Sequence, residues 1–143
     1  MKVSVLGVLV GGVVDVVSSV LAGVPFYLYL ALKLDASQRG GPHTSEAVTS
    51  ALHANAPLHG AELLVGLLCS VLGGYVAAVI AKRHERLNGT LSCYLCVGIG
   101  IASIAGGLSK DPLWQEAILL LASPVFAFVG GDVRRRQLAA RTV

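Results

Sequence analysis

Apolar residues fall into four long stretches along this chain. Short polar segments separate the last three from one another, and a longer segment follows the first. The stretches are 3–32, 60–81, 87–108 and 113–131. A helix needs about 20 predominantly apolar residues to cross a hydrocarbon core roughly 30 Å thick. Membrane β-strands would be about 10 residues long and would alternate apolar with polar residues. The pattern therefore predicts an all-α fold, a four-transmembrane-helix bundle forming one integral membrane domain over 1–143.

The composition favours the same class. Hydrophobic residues make up 55% of the chain and charged residues only 13%. A soluble domain of this size needs more polar cover on its surface. The first stretch carries a single charge, Asp15, and the third carries none.

The basic residues predict an orientation. They cluster in the 82–86 link and in the tail at 134–136. Lys and Arg are enriched in cytoplasmic flanks of membrane helices. We therefore expect both termini in the cytoplasm, with the 33–59 loop and the 109–112 turn facing outward. Anionic lipid head groups are the expected counter-charges. Nucleic acid is not an expected partner, because the basic residues do not form a patch with interleaved aromatic residues.

The 33–59 loop contains signals of its own. Gly40-Gly41-Pro42 predicts a break, and Thr44–Ala54 predicts a short helix with one apolar face. We expect this helix on the outer membrane surface or across the mouth of the bundle. The histidines in this region, His43, His53 and His59, are expected to be solvated loop residues, because their spacing matches no compact metal motif.

Small residues at helical spacing predict close helix packing. Lipid tails are as apolar as Leu, so close approach of helix backbones has to supply the attraction between membrane helices. The candidate packing residues are Gly7, Gly11, Gly66, Ser70, Gly73, Gly74, Gly100 and Gly107. Pro25 and Pro124 are expected to kink their helices.

Asp15 is the candidate functional residue, because it lies near the middle of the first stretch. A carboxylate at that depth costs a few kcal/mol when charged, so we expect it to face other helices and to be protonated or hydrogen-bonded. Tyr75, Ser92 and Tyr94 are the expected donors at comparable depth. Two interpretations stay open: a proton or ion site in a transport path, and a tether between helices.

The remaining chemistry is sparse. Cys93 and Cys96 have the spacing of a thiol pair, but within an apolar helix we expect them, like Cys69, to be small, buried and reduced. We expect Asn88 to cap a helix. The chain carries no Walker lysine motif, Gly-x-Ser-x-Gly or HExxH. The sequence therefore predicts no enzyme, no cofactor and no metal.

One segment resembles part of a known group of proteins. Residues 72–83, with a Gly-Gly-aromatic run and a basic end, and residues 87–91, with Asn before Gly, resemble the helix–link–helix of small uncharacterised bacterial four-span membrane proteins. This resemblance implies a bacterial inner membrane and no activity. A second resemblance concerns architecture, because small multidrug-resistance transporters also have four spans and an essential carboxylate in the first. That likeness implies a role for Asp15.

Three functions follow as hypotheses. The first is a non-enzymatic assembly or accessory subunit, as a homo-oligomer or within a membrane complex. The second is a small proton-coupled transporter or channel that uses Asp15. The third is an immunity-type protein that acts through its outer loop.

Overall fold

A computed structural model describes residues 3–37, 45–107 and 113–141. Every regular element in these ranges is a helix. The six helices are α1 (Val5–Ser37), α2 (Ser45–Ala54), α3 (Ala56–Ala81), α4 (Glu85–Ser92), α5 (Tyr94–Ala105) and α6 (Leu113–Ala140). The predicted Gly40-Gly41-Pro42 break, His43 and the predicted 109–112 turn lie outside the described residues.

Four segments are long and apolar enough to cross a membrane. They are Val5–Leu34, Ala56–Ala81, Glu85–Ala105 and Leu113–Ala140. Large apolar side chains are exposed along all four, among them Leu9, Leu68, Ile101 and Leu121. Such exposure suits contact with lipid, because lipid tails are as apolar as the side chains. The all-α prediction is confirmed, and the four segments have the length and composition expected of a multi-pass membrane protein.

Three helices are longer than their apolar stretches. α1 continues to Ser37 and α6 to Ala140, so the basic residues at 134–136 belong to a helix rather than a free tail. α3 begins at Ala56, where the Asn55 side-chain oxygen accepts a hydrogen bond from the Leu58 amide at 3.3 Å. Such a cap satisfies a helix-end amide that has no partner within the helix. Apolar patterning missed these turns because charged and polar residues interrupt the apolar ones there.

The third predicted span is two helices, with Cys93 between α4 and α5. Asn88 lies inside α4, so its prediction as the helix cap is wrong. The residue before α4 is His84, whose backbone is left-handed at φ 49° and whose side chain makes no capping hydrogen bond. The Asn88 side chain instead bonds to the link that precedes the helix.

The chain divides into two compact units. The first comprises the described residues of 1–17 and 67–143, and the second comprises those of 18–66. In the second unit, Leu30 and Val48 are buried, and the Lys33 ammonium lies 4.9 Å from the centre of the Tyr29 ring. The polar and glycine-mediated contacts described below lie in the first unit.

Candidate functional site

Asp15 lies on α1 and is almost fully buried, with 1% of its surface exposed. The Ser70 hydroxyl of α3 lies 3.1 Å from one carboxylate oxygen and 3.2 Å from the other, so it donates to the carboxylate. The backbone of α3 also approaches closely, because a Cβ added at Gly73 would lie 2.7 Å from the Asp15 Cβ. Asp15 thus joins α1 to α3 through a buried polar contact.

The structure uses a different donor from the three expected ones. Ser92 is buried, and its hydroxyl donates to the Gly89 carbonyl at 2.7 Å. The Tyr75 hydroxyl donates to the Gln137 side chain at 2.8 Å. Tyr94 is 58% exposed. Ser70, singled out from the sequence only as a small packing residue, is the hydroxyl that reaches Asp15.

Glycines in the first unit bring helix backbones together in reciprocal pairs. A Cβ at Gly11 of α1 would lie 2.6 Å from the Gly73 carbonyl oxygen, and a Cβ at Gly73 of α3 would lie 2.7 Å from the Gly11 carbonyl oxygen. Real Cβ atoms essentially never come closer than 3.0 Å to such atoms. Only glycine therefore permits this separation of α1 and α3.

The same reciprocity joins α3 to α6. Gly74 faces the Ala127 carbonyl, and Gly130 faces the Val71 carbonyl, both too closely for a Cβ. Each glycine thus presents its Cα to a carbonyl oxygen of the other helix. Contacts of Cα–H with carbonyl oxygens recur at helix–helix interfaces and add weak attraction.

Adjacent glycines serve different neighbours. Gly73 faces α1 while Gly74 faces α6, and Gly130 faces α3 while Gly131 faces the Glu85 carbonyl of α4. Successive residues of an α-helix point about 100° apart, since a turn takes 3.6 residues. Two adjacent glycines therefore let other helices approach two faces of one helix at the same depth. At these positions α3 and α6 each pack against two helices.

The predicted packing residues divide into two groups. Gly7, Gly11, Gly73, Gly74 and Gly100 contact a neighbouring helix or its side chains, whereas Cβ atoms at Gly66 and Gly107 would meet nothing within 4 Å among the described residues. These two glycines have no close helix neighbour among the described residues. Spacing also missed four glycines in contact, namely Gly12, Gly89, Gly130 and Gly131.

A second polar cluster surrounds Asp132 on α6, which the sequence analysis did not single out. Its two oxygens accept hydrogen bonds from Arg86 Nε and Arg136 Nε, each at 2.7 Å. Asp132 is buried, and the Arg86 guanidinium lies 5.3 Å from the centre of the Phe128 ring. The i,i+4 spacing of Asp132 and Arg136 indicates an ion pair on one face of a helix. The contact with Arg86 could not be predicted in this way, because Arg86 is far away in sequence.

Asn88 fixes the link between α3 and α4. Its amide nitrogen donates to the Arg83 and His84 carbonyls at 2.9 and 3.2 Å, and its oxygen accepts from the Ser4 amide at 2.8 Å. The link has left-handed backbone at Lys82 (φ 54°) and His84 (φ 49°). This conformation costs roughly 1–2 kcal/mol for residues other than glycine. The three hydrogen bonds of Asn88 help to hold it.

The cysteines and histidines contribute other contacts. The Cys93 thiol donates to the Thr90 carbonyl at 3.0 Å, and all three cysteines are free. His53 and His59 lie on α2 and α3 with their ring centres 4.8 Å apart. His53 falls within the predicted short helix, whereas His59 belongs to a long helix and not to the loop. Among the described residues, no group of three or more His, Cys, Asp or Glu side chains is placed to hold a metal ion.

Comparison of the chain with protein-family models, with curated proteins and with solved structures finds no match. The functional argument therefore rests on the residues and their geometry.

Proposed function

We propose that this chain is a non-enzymatic protein of a bacterial inner membrane that acts as an assembly or accessory subunit, either as a homo-oligomer or within a membrane complex. The observation that carries the proposal is the setting of Asp15. Its carboxylate is 1% exposed and bonded to Ser70 of the neighbouring helix. The mid-span polar group is thus engaged in holding helices together.

The packing around Asp15 supports a tether over a transport site. A transported proton or ion has to reach its site from water, and polar residues on such paths face the bundle interior or a water-filled cavity. Here the α3 backbone at Gly73 rests against Asp15. The exposed apolar faces of the four spans remain available for lipid and for a partner helix.

Substitution of Asp15 tests the tether. Asp15→Asn keeps the size and hydrogen-bonding capacity of the side chain and removes the charge, so we expect unchanged thermal unfolding and assembly in detergent. Asp15→Leu is the matched disruptive variant, because it removes the acceptor of the Ser70 hydroxyl and presses a branched side chain toward Gly73. A large loss of stability in Asp15→Asn would contradict the tether.

A proton-coupled transporter is the second candidate, and the same residue favours it. An ionisable side chain within a membrane span is a functional candidate by default, because its burial is costly. The measurement is proton uptake by proteoliposomes that hold a pH-sensitive dye. If wild-type protein supports uptake and Asp15→Asn folds but does not, the transporter replaces the accessory subunit as the function.

The proposed orientation has both termini in the cytoplasm, and the basic residues at 82–86 and 134–136 support it. A reporter that is active only in the periplasm, fused to the C-terminus, is expected to give no signal. Fusion of the same reporter after residue 55, within the proposed outer region, is the positive control. A strong signal from the C-terminal fusion would overturn this orientation.

A further inference from the structure

Positive charge is concentrated in two segments of the first unit. Residues 82–86 and 132–141 together hold seven Lys and Arg side chains against two carboxylates, Glu85 and Asp132. The Asp132 carboxylate accepts hydrogen bonds from Arg86 and Arg136. Arg83, Arg135 and Arg141 are all exposed. This surface therefore carries an excess of positive charge that the protein itself does not neutralise.

An open cleft of about 310 Å³ lies within this surface. Its lining residues are His84, Glu85, Arg86, Leu87 and Arg135. The two guanidinium groups come from different helices, Arg86 from α4 and Arg135 from α6. Arg86 is held in place by Asp132 and by the Phe128 ring, so its position is set before any ligand arrives. Glu85 is the one carboxylate in the lining.

An apolar stripe on α6 leads toward the cleft. Leu121, Val125 and Phe128 are spaced by four and three residues, and all three are exposed. The same spacing continues through Asp132 to Arg135. A helix rises 1.5 Å per residue, so Leu121 lies roughly 21 Å from Arg135 along the axis. This length exceeds half of a hydrocarbon core about 30 Å thick.

We propose that the cleft binds the phosphate of an anionic phospholipid, whose acyl chain lies along the Leu121–Val125–Phe128 stripe. The Arg135 guanidinium can match phosphate because it donates two parallel N–H bonds from a planar fork. The Arg86 guanidinium bonds to Asp132 through Nε, so it adds charge and a fixed wall to the cleft. The stripe favours a lipid over a free phosphate ion, because only a lipid carries a chain to cover it. This site goes beyond the accessory role and does not depend on Asp15.

The test is native mass spectrometry of the full-length protein, released from a neutral detergent after titration with a defined lipid. Phosphatidylglycerol is the anionic probe, and phosphatidylcholine is the zwitterionic control. Arg135→Gln is expected to weaken phosphatidylglycerol binding about fivefold, the scale for one basic residue at an anionic surface. Arg141→Gln removes the same charge outside the cleft and is expected to leave binding nearly unchanged.

Three results would overturn the proposal. Equal losses in Arg135→Gln and Arg141→Gln would show a diffuse charge effect without a site. Equal binding of phosphatidylcholine would remove the need for an anionic lipid. Displacement of bound lipid by millimolar inorganic phosphate would assign the cleft to a free anion. If Arg135→Gln fails to fold, Arg135→Lys keeps the charge without the planar fork, and binding equal to wild type in that variant would also overturn the proposal.

Discussion

Two glycines of α3, Gly74 in the first unit and Gly66 in the second, have different surroundings. In the first unit, Gly74 lies against the Ala127 backbone, and a Cβ there has no room. In the second unit, a Cβ at Gly66 of the same helix would meet nothing within 4 Å among the described residues. The same is true of Gly23 and Gly60 in the second unit and of Gly98 and Gly107 in the first. A small residue in a membrane helix therefore permits close packing but does not by itself indicate it.

The described polar contacts differ more clearly between the two units. The first unit holds the three tethers described above, centred on Asp15, Asn88 and Asp132. Each connects segments far apart in sequence. Described side-chain contacts in the second unit are more local, as with Lys33 over Tyr29 and His59 near Glu62 at 3.5 Å. We infer that these three tethers contribute specificity to helix pairing within the first unit.

The largest expected effect comes from filling the closest glycine contact. Gly74→Leu would drive a side chain into the Ala127 backbone, which cannot move as a flexible side chain can. Overpacking typically costs about 1–3 kcal/mol, and we expect a loss of about 3 kcal/mol in unfolding free energy, measured by thermal or denaturant unfolding in detergent.

Gly66→Leu is the matched control for this substitution, since it makes the same chemical change in the same helix. We expect no loss of stability in that variant, because the added side chain enters open space. If the two variants unfold alike, Gly74 does not lie at a helix–helix contact and the contrast between Gly74 and Gly66 fails.

The sequence predicted the helices better than it predicted their contacts. Apolar length located four spans, because crossing a bilayer imposes that length. Periodicity also placed Gly7, Gly11 and Asp15 on one face of α1, and all three face α3. It could not separate Gly66 from Gly74, because spacing assigns a residue to a face of a helix and not to a neighbour. It also did not locate the turn at Cys93, although the residues of α4 before it are mostly polar and those of α5 after it are apolar.

The candidate site was predicted in part for a similar reason. Asp15 stood out because a buried carboxylate is costly wherever it lies. Its hydrogen-bond donor, Ser70, was not predicted, because three other hydroxyl-bearing residues were expected at the same depth as Asp15. Asp132 was overlooked because it lies close to three arginines in sequence, and such a charged segment is typical of a solvated tail. Only the continuation of α6 to Ala140 turns it toward Arg86.

The smaller expected effect concerns that carboxylate. Asp132→Asn removes the negative charge between two guanidinium groups, which then repel each other at the junction of α4 and α6. We expect a lower thermal transition than in wild type, with a smaller loss than in Gly74→Leu, because Arg136 is largely exposed and is free to turn toward water. The measurement is thermal unfolding in neutral detergent at low salt.

Glu85→Gln is the control for Asp132→Asn, because it removes one negative charge from the same basic region without breaking the Arg86–Asp132–Arg136 contact. It is expected to unfold close to wild type. Added salt screens the repulsion between exposed charges, so it should recover part of the stability lost in Asp132→Asn. Equal destabilisation by the two substitutions would show that net charge governs stability here, and the specific geometry around Asp132 would then contribute nothing to the pairing of α4 with α6.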